Sequence, residues 1–458
     1  MRIRTLCLAP CALTVLTAAP AFGDFEGANR EYTAGHFEVA HTQFLALAEL
    51  GDCTSQFNLG AMALKGQGGP VDRGSAVGWL RAAAGNGCQP LVGGKADSLA
   101  AHLSDDQQRT AADIVARYGR DALHAQGVVD PDFGCQGETT ASALQTPTPE
   151  YPHLSGPRPT RALVITKLTI GVDGRARDPE IVLAIPDAAF GAAAVEAWLN
   201  SRFTPASLAG KPVESRVQAK LVFSTERSDA IGDMPALRQA HTAADAGDPA
   251  AAYLFGLAAT FDPSLGIAAG RATELVLDAA RDGQPEAQYW VGSQLHSTAA
   301  CRGGGADGSV WLTHAAAGGN ASAQLLLAST FLGGTPSEAQ VQQARALLEQ
   351  AAAADSYYVR KHVVALLAAS PLPALRDPPT ALALAVKLLA GNIQSDPQMF
   401  EAVAAAYAAN GDFRNAVAQQ QVALRKAQNL GWDTHAMNDR LAAYRGGKSW
   451  QGELLAPG

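Results

Sequence analysis

Trp79-Leu80-Arg81-Ala82-Ala83-Ala84 and Trp311-Leu312-Thr313-His314-Ala315-Ala316 are variants of one phrase, each closed by a glycine eight residues after its Trp, Gly87 and Gly319. Outward from these, Gly51 precedes Gly87 by 36 residues, and Gly247, Gly283 and Gly319 follow one another at the same interval. Nine positions beyond the glycines stand Gly60, Gly256, Gly292 and Ala328, and five beyond stand Gln56, Gln288 and Gln324. Self-similarity at a fixed period of this size marks a stacked repeat. Each block reads as two short helices with a connection such as Gly66-Gln67-Gly68-Gly69-Pro70-Val71-Asp72 between them. One such hairpin cannot bury both of its faces, so neighbours stack into a solenoid whose concave face can hold partners.

The first copy resembles a Sel-one-like repeat in Gln56-Phe57-Asn58-Leu59-Gly60, Gly66, Gly68, Asp72, Ala76, Trp79 and Ala82 to Ala84. Copies after Gly247 are more worn: the connection before Gly283 lacks the Gly-rich pattern, and Asp355 stands where the next glycine is due. Tyr407, Gly411, Ala416 and Ala423 look like a tetratricopeptide repeat, as does the segment around Tyr32, Gly35, Phe37 and Ala40, while Leu441 and Tyr444 are assigned to a capping helix.

Between the two arrays the pattern changes. Thr146-Pro147-Thr148-Pro149 marks a boundary, after which Ala162, Val164, Thr166, Leu168, Ile170 and Val172 alternate on one side of a strand. Asp173-Gly174 is a hairpin signal leading to a second strand around Glu180 to Ile185. Phe190, Ala194, Ala197 and Trp198 then share one face of a helix, and Val213, Val217, Ala219, Leu221 and Phe223 face one way on a third strand. The expected fold is therefore multidomain and mostly α, an α-solenoid of helical hairpin repeats with a small α+β domain (strand-strand-helix-strand) in the middle. The boundaries are a signal peptide at 1–23, repeats at 24–126, a linker at 127–148, the α+β domain at 149–226, repeats at 235–370, a tetratricopeptide-like repeat and cap at 371–447, and a tail at 448–458. At 458 residues, several independent cores are expected.

The middle domain resembles the C-terminal domain of the TonB family. Pro149-Glu150-Tyr151-Pro152 matches the family's entry motif and Val172-Asp173-Gly174 its hairpin; Trp198, Arg202-Phe203, Pro205-Ala206, Gly210-Lys211-Pro212-Val213 and Phe223 follow in order. The resemblance implies a periplasmic domain that pairs edge to edge with an extended segment of an outer-membrane receptor, by β-augmentation. On it, Glu214 to Phe223 is the strand to watch, and Tyr151, Pro152, Arg216, Gln218, Lys220 and Val222 are the candidate partner-binding residues. Taken singly, Tyr151, Trp198 and Phe203 read as core or turn residues. A working TonB protein also has an uncleaved membrane helix and a long Pro-rich spacer, neither of which is evident here. The expected function is thus a periplasmic scaffold or adaptor for other envelope proteins; the alternative is an energy transducer coupling an inner-membrane motor to outer-membrane transport.

Compartment and charge fit this. Arg2 and Arg4, an apolar stretch from Thr5 to about Ala19, and Ala21-Phe22-Gly23 before Asp24 read as a cleavable secretory signal, placing the mature chain in the periplasm. If the segment is instead retained, it is an inner-membrane anchor and the only membrane contact expected. The formal charge of −8 becomes −10 on cleavage, which argues against nucleic acid as a partner. Cys53, Cys88, Cys135 and Cys301 remain after cleavage and allow three pairings; Cys53 with Cys88 is preferred, because both start a helix in successive repeats, and it requires those starts to converge. Ten histidines fall in no metal-ligand spacing, and Gly303-Gly304-Gly305-Ala306-Asp307-Gly308 follows no strand and reads as a connection. No catalytic residue, cofactor or metal is expected, and the chain is not read as an enzyme.

Overall fold

The computed structural model describes residues 25–92, 94–134, 138–154, 156, 158–225, 230–298 and 306–455. The expected signal, Cys135, Cys301 and Gly303 to Gly305 lie outside the described residues.

The repeat glycines are where the chain turns from one hairpin to the next. Gly51, Gly87, Gly247, Gly283 and Gly319 have φ of 82°, 117°, 91°, 91° and 89°, the left-handed region that a side chain disfavours. Three are followed by a residue that caps the next helix: Asp52 accepts from Ser55 N–H, Asp248 from Ala250 and Ala251, and Asn320 from Ala323. One dipeptide thereby ends one helix and starts another. The repeated glutamines serve the same junction. Nε2 of Gln56, Gln288 and Gln324 donates to the carbonyls of Ala48, Ala280 and Ala316 at 3.1, 3.0 and 3.0 Å, in the last turn of the preceding helix, where carbonyls have no helical donor.

The first array comprises α1 (Phe25–Thr33), α2 (Phe37–Glu49), α3 (Cys53–Lys65), α4 (Arg73–Ala83), α5 (Gln89–Val92), α6 (Lys95–Ala100), α7 (Asp105–Tyr118) and α8 (Arg120–Ala125). Cys53 and Cys88 form the preferred disulfide, with Cα atoms 5.5 Å apart. The two ends converge because a π turn at Ala84–Cys88 folds the chain back beside the start of α3.

The middle domain has the expected order. Its main sheet runs β4-β3-β8, with β3 (Arg161–Ile170) antiparallel to both β4 (Ala176–Ile185) and β8 (Ser215–Ser224), and α9 (Ala189–Leu199) between β4 and β8 in sequence. β1 (Glu138–Thr139), β6 (Ala206–Leu208) and β7 (Lys211–Val213) form a second sheet, and β2 (Ser142–Gln145) pairs with β5 (Arg202–Thr204). The expected linker at 127–148 is corrected by this: it supplies β1 and β2. Its apolar residues explain why it is fastened, since Val128 and Val129 are buried and Phe133 meets Trp290 edge-on at 5.4 Å.

The second array follows as α10 (Pro235–Asp245), α11 (Pro249–Phe261), α12 (Ala269–Arg281), α13 (Pro285–Thr298), α14 (Ser309–Ala317), α15 (Ala321–Phe331), α16 (Glu338–Ala351), α17 (Tyr357–Ala369), α18 (Pro378–Leu389), α19 (Pro397–Ala409), α20 (Phe413–Leu430) and α21 (His435–Arg445). Hairpins continue past Asp355 without a glycine, because Ser356 caps α17 in an extended conformation.

The cores are not independent. Ala162, Val164, Leu168 and Ile170 of β3 pack on Phe190, Ala194 and Trp198 of α9. Leu163 and Ile165, on the other face, enter a core built from Leu50, Leu123 and Val128 of the first part of the chain and Leu257, Trp290, Val291 and Trp311 of the second array. Val195 and Leu199 on the back of α9 meet Ile393, Leu424, Trp432 and Leu441. The two arrays thus close around the sheet and its helix. The tail expected at 448–458 is fastened over its described part: Gly452 N–H donates to Ala369 O at 2.8 Å, and Leu455 is buried.

Candidate functional site: an open sheet edge over a buried charge cluster

β8 is the last strand of its sheet, and among the described residues no strand pairs along its outer side. A strand directs half of its N–H and C=O groups to each side, so the outer half forms a template for another extended chain. β3 is buried almost throughout, whereas β8 is half-buried along most of its length. The register, Arg161 opposite Ser224 through Ile170 opposite Ser215, has no bulge, so β8 presents a regular edge.

The side chains of β8 are committed to both faces. Val217, Ala219, Leu221 and Phe223 pack on the α9 side. On the other side Arg216 spans Asp178 and Glu180 at 3.2 and 2.9 Å, Gln218 accepts from Trp290 Nε1 and donates to Gln294 Oε1, both at 3.2 Å, and Lys220 Nζ meets Asp262 Oδ2 at 2.9 Å. Val222 borders the shared core. The side chains of the candidate partner-binding residues Arg216, Gln218, Lys220 and Val222 already have partners within the chain, Arg216 on β4 and Gln218 and Lys220 on the second array, so the strand's backbone is what remains to offer. Tyr151 is likewise a packing residue. Its ring stands edge-on to Phe190 at 5.1 Å and Phe223 at 6.1 Å, under the Arg158 guanidinium at 3.9 Å, and its hydroxyl donates to Pro159 O. Pro152 beside it is half-buried.

Beneath Arg216 lies a charge cluster that joins sheet to array. Asp178 Oδ1 is 2.7 Å from His362 Nε2 and 2.9 Å from Lys361 Nζ, which also reaches Asp396 Oδ2 at 2.9 Å, where Tyr357 donates at 2.8 Å. Tyr289 donates to Glu180 Oε2 at 2.9 Å, and Lys167 Nζ reaches Ser293 Oγ at 2.6 Å over the Tyr289 ring. Burial by itself would raise the Asp178 carboxyl, but His362, Lys361 and Arg216 outweigh it and hold it well below the usual range. Burial depresses Lys167 to about 8, only partly opposed by Glu180. Burial also opposes the charge on Lys361, yet Asp396 and Asp178 raise its pKa above the ordinary lysine value.

Sequence reading missed this cluster, whose partners lie up to 184 residues apart in pairs such as Asp178 and His362. The available signals were local misfits: Lys167 inside an apolar strand, and Lys361-His362 inside an apolar helix. Asp178, at φ 50°, sits where the β3–β4 register shifts, which turns its carboxylate toward α17. Among the described residues no group of three or more metal-ligating side chains converges, and no helix is long and apolar enough to cross a membrane.

With this geometry in place, residues 147–225 match the family described as the Gram-negative bacterial TonB protein C-terminal. This segment comprises the open-edged sheet and α9. Among solved structures, the chain is similar to a protective antigen present in uropathogenic Escherichia coli strains displaying an SLR fold. The identity is 16% over 92% of this chain and 83% of that chain, with a TM-score of 0.33. No curated protein matches the chain.

Proposed function

We propose that the protein is a periplasmic adaptor of the bacterial envelope that binds partner proteins by accepting an extended segment along the outer edge of β8. The observation that carries this is the regular, strand-free edge of a TonB-type domain whose two faces are both covered. Backbone pairing supplies affinity in such a mode, and side-chain pockets beside the added strand supply selectivity. The match to a TonB C-terminal family supports an envelope location, the Cys53–Cys88 disulfide supports an oxidising compartment, and the signal-like N-terminus supports export. Binding, without catalysis, is the role proposed. Outer-membrane receptors are the partner class that the family brings forward, and energy transduction would further require contact with a proton-driven motor.

A single-proline scan of residues 217–223, read by capture of partners from envelope extract, tests the reading. Amides of alternate residues point outward, and proline removes one. Prolines that remove an outward amide are expected to preserve the melting transition and abolish capture, whereas those that break the β3 ladder destabilise the fold. Capture that survives every folded proline variant would refute edge pairing.

A further inference from the structure

The last part of the chain shows what else this surface can hold. Residues after Lys448 leave the helical array and run without helix or strand against α17: Gly452 N–H donates to Ala369 O at 2.8 Å, Leu455 is buried among Leu375 and its neighbours, and Leu454 and Trp450 are half-buried there. Beside this segment a cavity of about 260 Å³ stays unfilled, walled by Leu332, Ala365, Leu366, Leu372, Leu375 and Leu454. Apolar cavities of ~150 Å³ already accept a benzene-sized guest, so this one has room for a leucine-class side chain with the tail in place. Ser329 and His362 line both this cavity and a much smaller one of about 20 Å³ that also touches the Arg216 side chain.

We propose that the groove between α15, α17 and the C-terminal segment is a second peptide site, taking a short non-helical segment of a partner chain with adjacent leucine-class side chains, and that residues 449–455 occupy part of it in cis. The occupant is argued from residues 449–455 themselves, a non-helical segment carrying Leu454-Leu455 that the groove already seats through one backbone hydrogen bond and one buried leucine. The site itself does not rest on the edge-pairing reading.

The test uses a fluorescein-labelled peptide of sequence Ser-Trp-Gln-Gly-Glu-Leu-Leu, that of residues 449–455, and fluorescence anisotropy. The receptor is the full-length chain carrying Leu454→Ser and Leu455→Ser, which vacates the groove without shortening the chain. Saturable binding is expected, weakened at least tenfold when both leucines of the probe become Asp, and likewise when Ala365→Phe fills the cavity. The unaltered chain should bind the probe several-fold more weakly, because its own tail competes; this measurement stands even if the double variant folds poorly. Absence of saturable binding to both chains would overturn the proposal, as would equal binding of the Asp probe. Binding of decanoate without binding of the peptide would overturn it in favour of a small amphiphile site. A proline in β8 that abolishes edge capture should leave this binding unchanged, so the two readings fail separately.

Discussion

Lys167 is the residue whose position is least favourable in its own right. It lies on the central strand, fully enclosed, with one hydroxyl, a tyrosine face and Glu180 for company. Its folded pKa of about 8 lies below the ~10.4 of an exposed lysine, so between those values the unfolded chain binds more protons than the folded one. Stability therefore rises as pH climbs from about 8 toward 10, and below 8 the full cost of the buried charge is present. Asp178 has the opposite consequence: its depressed pKa stabilises the fold above the ~3.9 of a free aspartate and that contribution is lost as pH falls through the folded value. Lys167→Met is expected to leave stability at pH 7 unchanged or raise it by up to about 3 kcal/mol, since it removes a charge that burial disfavours while Arg216 and Tyr289 still hold Glu180. Melting curves of both proteins from pH 7 to 10 check it. The rise above pH 8 should shrink in the variant, and a variant several degrees less stable at pH 7 would contradict the assignment.

At the scale of elements, the repeats depend on close contact between the helices of a hairpin. A Cβ on Gly292 would lie 2.8 Å from Leu312 Cγ and 3.0 Å from Leu312 N, and one on Gly256 would lie 2.9 Å from Ala272 O. Gly292→Ala is therefore expected to destabilise by about 1–3 kcal/mol through overpacking, despite alanine's better helix propensity, as denaturant titration would show. An unchanged midpoint would mean that α13 and α14 separate freely. These elements were legible in the sequence because their requirements are local. A left-handed turn selects glycine, a close crossing selects a small residue, and a carbonyl at a helix end selects a glutamine; all three recur at one period. Alternation likewise located β3 and β8, with β8 at Ser215–Ser224 against an expected Glu214 to Phe223. The strands within the linker and the docking of the tail were not legible because a few apolar residues, Val128, Val129, Phe133 and Leu455, fasten segments that lack any periodic pattern.

At the scale of the whole molecule, a TonB-type sheet sits inside a helical enclosure formed by both arrays, with β8 as a half-buried edge whose pairing to β3 has no bulge. The sequence located the edge strand and named Arg216, Gln218 and Lys220 as candidate partner-binding residues, because nothing local shows that their side chains meet residues of the chain itself. Those contacts span 36, 76 and 42 positions, and no pattern along the chain encodes them. Their effect is to fix the strand, so that on the proposed edge pairing a partner would meet a preorganised edge and the ordering cost would fall mainly on the partner. The most direct measurement is residue-resolved amide hydrogen exchange across 215–224, on the chain alone and on the complex recovered from envelope extract. An open edge gives alternating fast and slow amides in the free chain, with the fast set becoming protected in the complex. Uniformly slow exchange in the free chain, or a fast set left unprotected in the complex, would mean that β8 is not where partners bind.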